Sequence, residues 1–297
     1  MAKCIVTGGA GFIGSHIVDA LISLDHDVIV IDNESANNEK FYWRKDTKNI
    51  KVDILDVNKY KKDFKNVDFV FHLAAESRIT NALLNPSYAY SVNILGTHNI
   101  LAASLEHNIK RVVFSSTSSI YGLNKSPNKE NSNDNCLNPY SISKFSAEKI
   151  CEHFSREFNL PITILRYFNV FGERAPSNGT YAPVTAIFLK QLSQKKPLTI
   201  VGNGRSKRDF VYVKDIVDAN LKFCFTKQKK EFNSIFNVGS GKNISVKELA
   251  NIISKNQKYL PPRVGEAKET LASIKKIKRY VNWQPTVFIE NWIRGLI

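Results

Sequence analysis

The sequence predicts an α/β protein built on a doubly wound parallel sheet, with a smaller domain at its C-terminal side. Three observations carry this. Short apolar segments of strand length alternate with longer segments of helical period through the first half of the chain. The first of these strands runs into a glycine-rich turn that opens a helix. Several strands end in an acid or in small residues, where open parallel sheets place their ligands.

Taken in order, Cys4-Ile5-Val6 reads as a strand and Thr7-Gly8-Gly9-Ala10-Gly11-Phe12-Ile13-Gly14 as a tight turn. A helix follows from about Ser15 to Leu24, then a strand, Asp27-Val28-Ile29-Val30-Ile31, closing on Asp32. Glycines let backbone approach a pyrophosphate, the helix N-terminus offers amide donors, and the acid takes ribose hydroxyls. This is a Rossmann-like opening, and Gly8, Gly11, Gly14 and Asp32 are its cofactor candidates. The spacing is Gly8-x-x-Gly11-x-x-Gly14 rather than GxGxxG, so the flanking strands and Asp32 carry the argument. Asp32 is followed by Asn33 with no arginine beside either, which repels a 2′-phosphate and favours NAD over NADP.

Ile50-Lys51-Val52-Asp53-Ile54-Leu55 reads as a short strand ending near an acid. Asp53 is placed to bond an adenine amino group, and an ordinary strand-end carboxylate is the alternative. Val67 to Ala75 reads as a buried strand ending in Leu73-Ala74-Ala75, with His72 packed inside it. Pro86 opens a helix expected to run to about His107. Arg111-Val112-Val113-Phe114 is the next strand, followed by a hydroxyl run, Ser115-Ser116-Thr117-Ser118-Ser119, that can donate to a substrate oxygen. Asn138-Pro139 then starts the helix carrying Tyr140 and Lys144. Four residues apart, these two share a helix face and reach one pocket. Tyrosine has an unperturbed pKa of about 10 and is a poor base at neutral pH, but a fixed cation favours its phenolate.

Composition bounds the classes of function. The chain has 297 residues, 43% hydrophobic and 23% charged, enough for an extensive core. Its net charge of +15 is spread as lysines over the whole length, without stacking aromatics between them, so a solvated surface is expected and not a nucleic-acid partner. No apolar run reaches the ~18 residues that span a bilayer, and no secretory leader precedes the first strand, so a cytoplasmic protein off the membrane is expected. Cys4, Cys136, Cys151 and Cys224 lack metal-ligand spacing, so reduced thiols and no metal are expected.

Thr7 to Gly14, Asp32, Leu73-Ala74-Ala75, Asn93, the Phe114 to Gly122 segment and Tyr140 with Lys144 together resemble the extended short-chain dehydrogenase/reductase family, specifically its NAD-dependent nucleotide-sugar epimerases and dehydratases. The resemblance covers nearly the whole chain. It implies a cofactor domain over 1–170, with return elements near 210–240, and a substrate domain over 171–209 and 241–297. On the cofactor side it adds Phe12, Ile13, Asn33, Ile54, Ala74, Ala75 and Asn93, and places Tyr167 at the nicotinamide end. Tyr167-Phe168-Asn169-Val170-Phe171-Gly172 resembles the family's RYFNxxG segment, which assigns Asn169 to the substrate diphosphate. Arg208, within Thr199 to Val211, and Arg263, in an R-x-G-D/E signature with Glu266, are implied to clamp that diphosphate. Ser77, Arg78, Ser118, Tyr181, Val184, Val201 and Thr270 complete the implied substrate side. The family also commonly dimerises through the Pro86 and Tyr140 helices.

The implied chemistry is oxidation at sugar C4, with Tyr140 as base, Thr117 orienting O4 and Lys144 lowering the tyrosine pKa. The family's 4,6-dehydratases place an Asp-Glu pair after the catalytic threonine; here Ser118-Ser119 stands there, which favours C4 epimerisation. Glu76-Ser77-Arg78 resembles a dehydratase loop and keeps that alternative open, with Glu76 either the missing acid or a loop carboxylate paired with Arg78. Thr270 stands where relatives bound the C2 substituent, and a small side chain there leaves room for N-acetyl, so UDP-N-acetylglucosamine is an expected substrate alongside, or instead of, UDP-glucose. A non-catalytic NAD binder is the other class, disfavoured because a binder needs no activated phenol.

Overall fold

Successive residues of a strand point to opposite faces, so the apolar runs of this chain commit it to a sheet covered on both sides. The computed structural model describes residues 1–36, 40–177, 182–226, 234–262 and 267–297. In its first half, β1 (Lys3–Thr7) leads to α1 (Phe12–Ser23), β2 (Asp27–Asp32), β3 (Lys48–Lys51) and β4 (Phe69–His72). Helices α2 (Ile79–Leu84) and α3 (Pro86–Tyr90) follow, then a wider π turn over Ser91–Gly96 and α4 (Thr97–Glu106). Strand β5 (Arg111–Thr117), α5 (Pro139–Phe158), β6 (Ile162–Tyr167) and the short β7 (Asn169–Phe171) complete this half.

The second half holds α6 (Val184–Ser193), β8 (Leu198–Val201), β9 (Lys207–Tyr212) and α7 (Val213–Phe225). It continues through β10 (Ser234–Val238), β11 (Asn243–Ser245), α8 (Val246–Ile253), β12 (Gln257–Leu260), α9 (Lys275–Val281) and α10 (Ile289–Arg294). The main sheet has seven parallel strands in the order β10-β6-β5-β4-β1-β2-β3. Chain order reverses between β1 and β4, and that switch point is where such sheets open a ligand crevice.

Alternation sorts the core. Ile5, Ile29, Ile31, Val70, Val112 and Phe114 pack with Ile100, Leu101, Ala147 and Phe154 on one face. Cys4, Val6, Val28, Val30, Phe71 and Val113 pack with Ile17, Leu21, Ile216 and Phe223 on the other. Phe236 and Val238 of β10 belong to this second layer, as do Ile277 and Trp283, so α9 packs beside the large sheet. A separate core gathers Phe171, Phe188, Leu198, Ile200, Leu249 and Ile293 around the small β11-β9-β7 and β12-β8 sheets.

Several boundaries differ from the sequence expectation. Helix α1 starts at Phe12 because Gly11 is its N-cap, which leaves Phe12, Ile13 and Gly14 already helical. The strand expected over 50–55 is Lys48–Lys51, an edge strand with little buried side chain, while Val52 and Ile54 tuck into the core from the loop beyond it. The Pro86 helix reaches Glu106 through the π turn. Helix α5 begins where predicted: the Asn138 side chain accepts from Ser141 N at 2.9 Å, Ser141 Oγ accepts from Asn138 N at 3.2 Å, and Pro139 follows the cap.

Candidate functional site

The turn after β1 has no room for side chains. Gly8 has φ +69°, and a Cβ there would sit 2.8 Å from Ala74 N; at Gly14 it would sit 2.1 Å from Gly8 O. The result is a bare backbone cradle at the N-terminus of α1, suited to an anion. A cleft of about 320 Å³ runs from it along the carboxyl ends of the strands. Gly8, Gly11, Phe12, Ile13, Gly14, Asp32, Asn33, Asp53, Ile54, Leu73, Ala74 and Ala75 line this cleft, with Tyr140, Lys144 and Tyr167 at its other end.

Asp32 accepts from Ala10 N at 3.1 Å and Glu34 N at 2.8 Å. Burial pushes its carboxyl above the usual range while these amides oppose the rise. A carboxylate has acceptor sites left for two ribose hydroxyls, and Glu34 adds a second acid on this side, unfavourable for a 2′-phosphate. The Asp53 carboxylate is tied to Asn33 Nδ2 at 2.8 Å and Leu55 N at 2.9 Å, yet still borders the cleft. The bare cradle, the acid at the end of β2 and the cation beside a phenol fit NAD.

A second cleft of about 380 Å³ meets the first at Tyr140 and Tyr167. Thr117, Ser118, Asn169, Val184, Val201, Arg208 and Thr270 line it, and Ser77 and Arg78 border both. Asn169 Nδ2 donates to Thr270 Oγ1 at 3.1 Å and to Asp209 O at 3.0 Å, which fixes these two walls together. The buried Asp209 carboxylate anchors them in turn, accepting from Ser240 N at 2.6 Å, Ala272 N at 2.9 Å and Gly241 N at 3.1 Å. Tyr181, Arg263 and Glu266 lie outside the described residues.

Tyr140 keeps part of its ring on the cleft surface, but its phenol is enclosed. Burial pushes its pKa up, a hydrogen bond with Thr117 lowers it, and the charge of Glu76 raises it. Lys144 is buried with Nζ 4.1 Å above the Phe114 ring, and burial pulls its pKa down to about 8. The expected depression of the phenol by Lys144 is therefore not the dominant influence on Tyr140; enclosure is. Tyr167, at the nicotinamide end by resemblance, has its phenol bonded to Ser115 Oγ at 2.9 Å and to Asn220 Nδ2 at 2.7 Å.

Two expected residues stand apart from the clefts. Asn93, read as a cofactor residue, is buried behind the wall: Nδ2 donates to Glu76 O at 2.9 Å and to Ser143 Oγ at 2.8 Å, and Oδ1 accepts from Glu76 N at 2.8 Å. Ser143 Oγ donates in turn to Tyr140 O at 2.8 Å, so Asn93 locks the loop after β4 to the helix of Tyr140. The same chain continues inward. Thr97 Oγ1 donates to Asn93 O at 2.7 Å and so accepts from His72 Nε2, 3.0 Å away, which leaves His72 Nδ1 to accept from Thr7 Oγ1 at 2.7 Å. His72 is fully buried and its pKa is pulled down to about 3 by burial, then by Lys144, so it is a neutral link and not a catalyst. Glu76 lines neither cleft; its carboxylate accepts from Arg78 N at 3.0 Å and Asn81 Nδ2 at 3.3 Å, ordering the entry to α2.

The structure also adds residues. Arg208 and Phe210 alternate along β9 toward the second cleft, as do Thr199 and Val201 on β8, and Ser206 stands just before β9 in the same phase. Strand period two was the signal for Ser206, Phe210 and Thr199. Ser115 and Ser116 border the first cleft, and Ser116 Oγ donates to Glu148 Oε1 at 2.5 Å.

A doubly wound sheet with a dinucleotide cradle, and a buried Thr-Tyr-Lys set between two clefts, defines a nicotinamide-dependent enzyme with a separate substrate pocket. A sequence model described as the NAD dependent epimerase/dehydratase family matches residues 4–239, and the chain belongs to that family. It is 38% identical over 302 residues to a putative UDP-glucose 4-epimerase of Methanocaldococcus jannaschii, covering 99% of this chain and 96% of the relative. Among solved structures, UDP-glucose 4-epimerase of Thermotoga maritima with UDP-glucose superposes with TM-score 0.92 at 34% identity, covering 98% and 96% of the two chains. UDP-N-acetylglucosamine 4-epimerase of Methanobrevibacter ruminantium M1, in complex with UDP-N-acetylmuramic acid, gives 0.90 at 36%, covering 99% and 96%.

Proposed function

We propose that this protein is an NAD-dependent 4-epimerase of UDP-sugars, of the gluco/galacto pair or its 2-N-acetyl counterpart. The observation that carries the choice among family reactions is that no carboxylate lines the second cleft among the described residues. Water elimination from C5 and C6 needs an acid and a base beside the sugar. Ser118 and Ser119 cannot supply them, and Glu76 is occupied at the start of α2.

NAD, when bound, supplies reversible two-electron oxidation at C4. The chain's own residues do the rest. Tyr140 accepts the O4 proton as phenolate and returns it, Thr117 holds O4 through its hydroxyl, and Lys144 offers a buried cation at the wall where the phenolate forms. Turning of the 4-keto sugar between the two proton transfers inverts C4, and the described residues of the hydroxyl-rich second cleft include no carboxylate to divert that ketone. The short Thr270 leaves the space that an N-acetyl group at C2 requires. The cofactor half is the seven-stranded body, and the substrate half is the body cored by Phe188 and Leu249.

Epimerisation in deuterated water tests this. UDP-glucose should give its C4 epimer with no deuterium at C4, C5 or C6, whereas deuterium at C5 with loss of water would establish dehydration instead.

The outer faces of α4 and α5 carry an apolar strip in which Leu105 and Ile150 are half-buried and Phe158 is exposed, with the buried Phe154 beneath it. We infer that two copies pair there, and sedimentation should show a wild-type dimer and a monomeric Phe158→Glu variant. No helix among the described residues is long and apolar enough to cross a membrane. The four cysteines are unpaired, which supports a reducing cytoplasm; fractionation of expressing cells would check it.

A further inference from the structure

Arg78 belongs to the loop between β4 and α2, and its Nη2 donates to Ala36 O at 3.1 Å. Ala36 belongs to the loop after β2, just beyond Asp32. In the sheet, β4 and β2 flank β1 on opposite sides. A bond joining their two loops therefore spans the carboxyl end of β1, where the Gly8 to Gly14 turn opens α1. Ala36 lines the first cleft and not the second, so the guanidinium is tied to the cofactor side, although Arg78 borders both clefts.

The charges of that cleft point the same way. Among its described lining residues the acids are Asp32 and Asp53 and the cations are Lys144 and Arg78. Lys144 is held over Phe114 of β5, two strands away from β1 and its glycine turn. A dinucleotide brings two negative charges on its diphosphate, and a helix N-terminus offsets only about half a charge. A planar guanidinium beside the turn can grip phosphate oxygens with two parallel donors.

We propose that Arg78 is a cofactor strap: bridged to Ala36, it closes over the glycine turn, binds the diphosphate of NAD and slows its release. This rests on NAD occupying the first cleft. It gives a role to a side chain that resemblance alone assigns to the sugar. It also gives a reason for retention: a cofactor that is reduced and reoxidised within each turnover gains nothing from leaving.

The test compares the full-length wild type with Arg78→Ala and Arg78→Lys. Each is loaded with NAD and desalted, then diluted, and the bound fraction is followed by chromatography of acid-released nucleotide. Release from Arg78→Ala should be about tenfold faster, the scale of one charge-assisted bond. Arg78→Lys should fall between, keeping charge without the fork. Added salt should speed wild-type release more than that of Arg78→Ala. Equal melting temperatures of the NAD-free proteins would exclude a loosened fold as the cause. Unchanged release with a raised KM for the UDP-sugar would overturn the strap and leave Arg78 with the substrate. A wild type that holds no NAD would sink both the strap and the cofactor assignment.

Discussion

Removing the buried carboxylate one turn beyond Lys144 should cost the fold several kcal/mol. Glu148 has no exposed surface and accepts three bonds: Arg166 Nε at 2.9 Å, Arg166 Nη2 at 2.6 Å and Ser116 Oγ at 2.5 Å. Burial pulls the Arg166 pKa down, but Glu148 more than offsets this and holds it above the ordinary value. Arg166 also has Nη1 without a hydrogen-bond partner and stacks 4.9 Å from the Tyr121 ring, so it has no route to water when its carboxylate is gone. In Glu148→Gln the size is kept, the charge is lost, and one amide donor must face another donor. Breaking a buried pair from one side costs about 3–5 kcal/mol. With an unfolding entropy of roughly 2 cal/mol/K per residue over the chain, that is a fall in Tm of roughly 5–8 °C.

Urea unfolding and thermal melts of the NAD-free protein measure it. Replacing both partners by apolar residues, as Glu148→Met with Arg166→Met, should recover most of the loss because no orphan charge remains. The exposed Lys149 to Glu152 pair, 2.9 Å apart on the same helix, is the contrast: Lys149→Ala should change stability by less than about 0.5 kcal/mol. Loss below about 1 kcal/mol in Glu148→Gln, or a double variant no better than the single, would refute the pair as what pins α5 to β5 and β6.

Lys144 gives a pH signature. With its folded pKa near 8 against an ordinary 10.5, the unfolded chain binds more protons between those values, so stability rises as pH climbs through that window. Below it the fold bears the whole cost of burying the cation, on the order of 3 kcal/mol. Lys144→Met should therefore be inactive yet more stable than wild type at neutral pH, with the advantage shrinking toward pH 10.5; equal urea midpoints at both ends would contradict burial as the cause. Gly14→Ala drives a Cβ to 2.1 Å from Gly8 O, and should lose about 1–3 kcal/mol and most bound NAD. NAD content after desalting and a urea titration check it, and a variant indistinguishable from wild type would show that the turn yields.

Much of this was legible because local chemistry and fold agree. The β1, turn, α1, β2 unit is written in apolar runs, glycines and a terminal acid, and every described residue assigned to the substrate side lies on the wall of the second cleft. What was not legible depends on partners far apart in sequence. Asn93 is a polar residue near the site, but only the π turn and the approach of Ser143 make it a clamp instead of a ligand. Glu76 resembles a dehydratase acid in sequence, but Arg78 N and Asn81 Nδ2 claim its carboxylate. For Tyr140, i to i+4 spacing reveals the lysine, whereas the burial that dominates the phenol's surroundings is a tertiary property. Strand β3 was displaced because an exposed edge has no alternating apolar pattern to mark it.

The central claim is that Tyr140 serves oxidation at C4 and that the resulting ketone is returned as its epimer. The most direct measurement is product analysis by NMR after incubating wild type and Tyr140→Phe with UDP-glucose and with UDP-N-acetylglucosamine. We predict the C4 epimer of at least one sugar from wild type, and a rate lower by about 10²–10⁴ from the phenylalanine variant. Accumulation of a 4-keto-6-deoxy sugar, or full turnover by Tyr140→Phe, would contradict it.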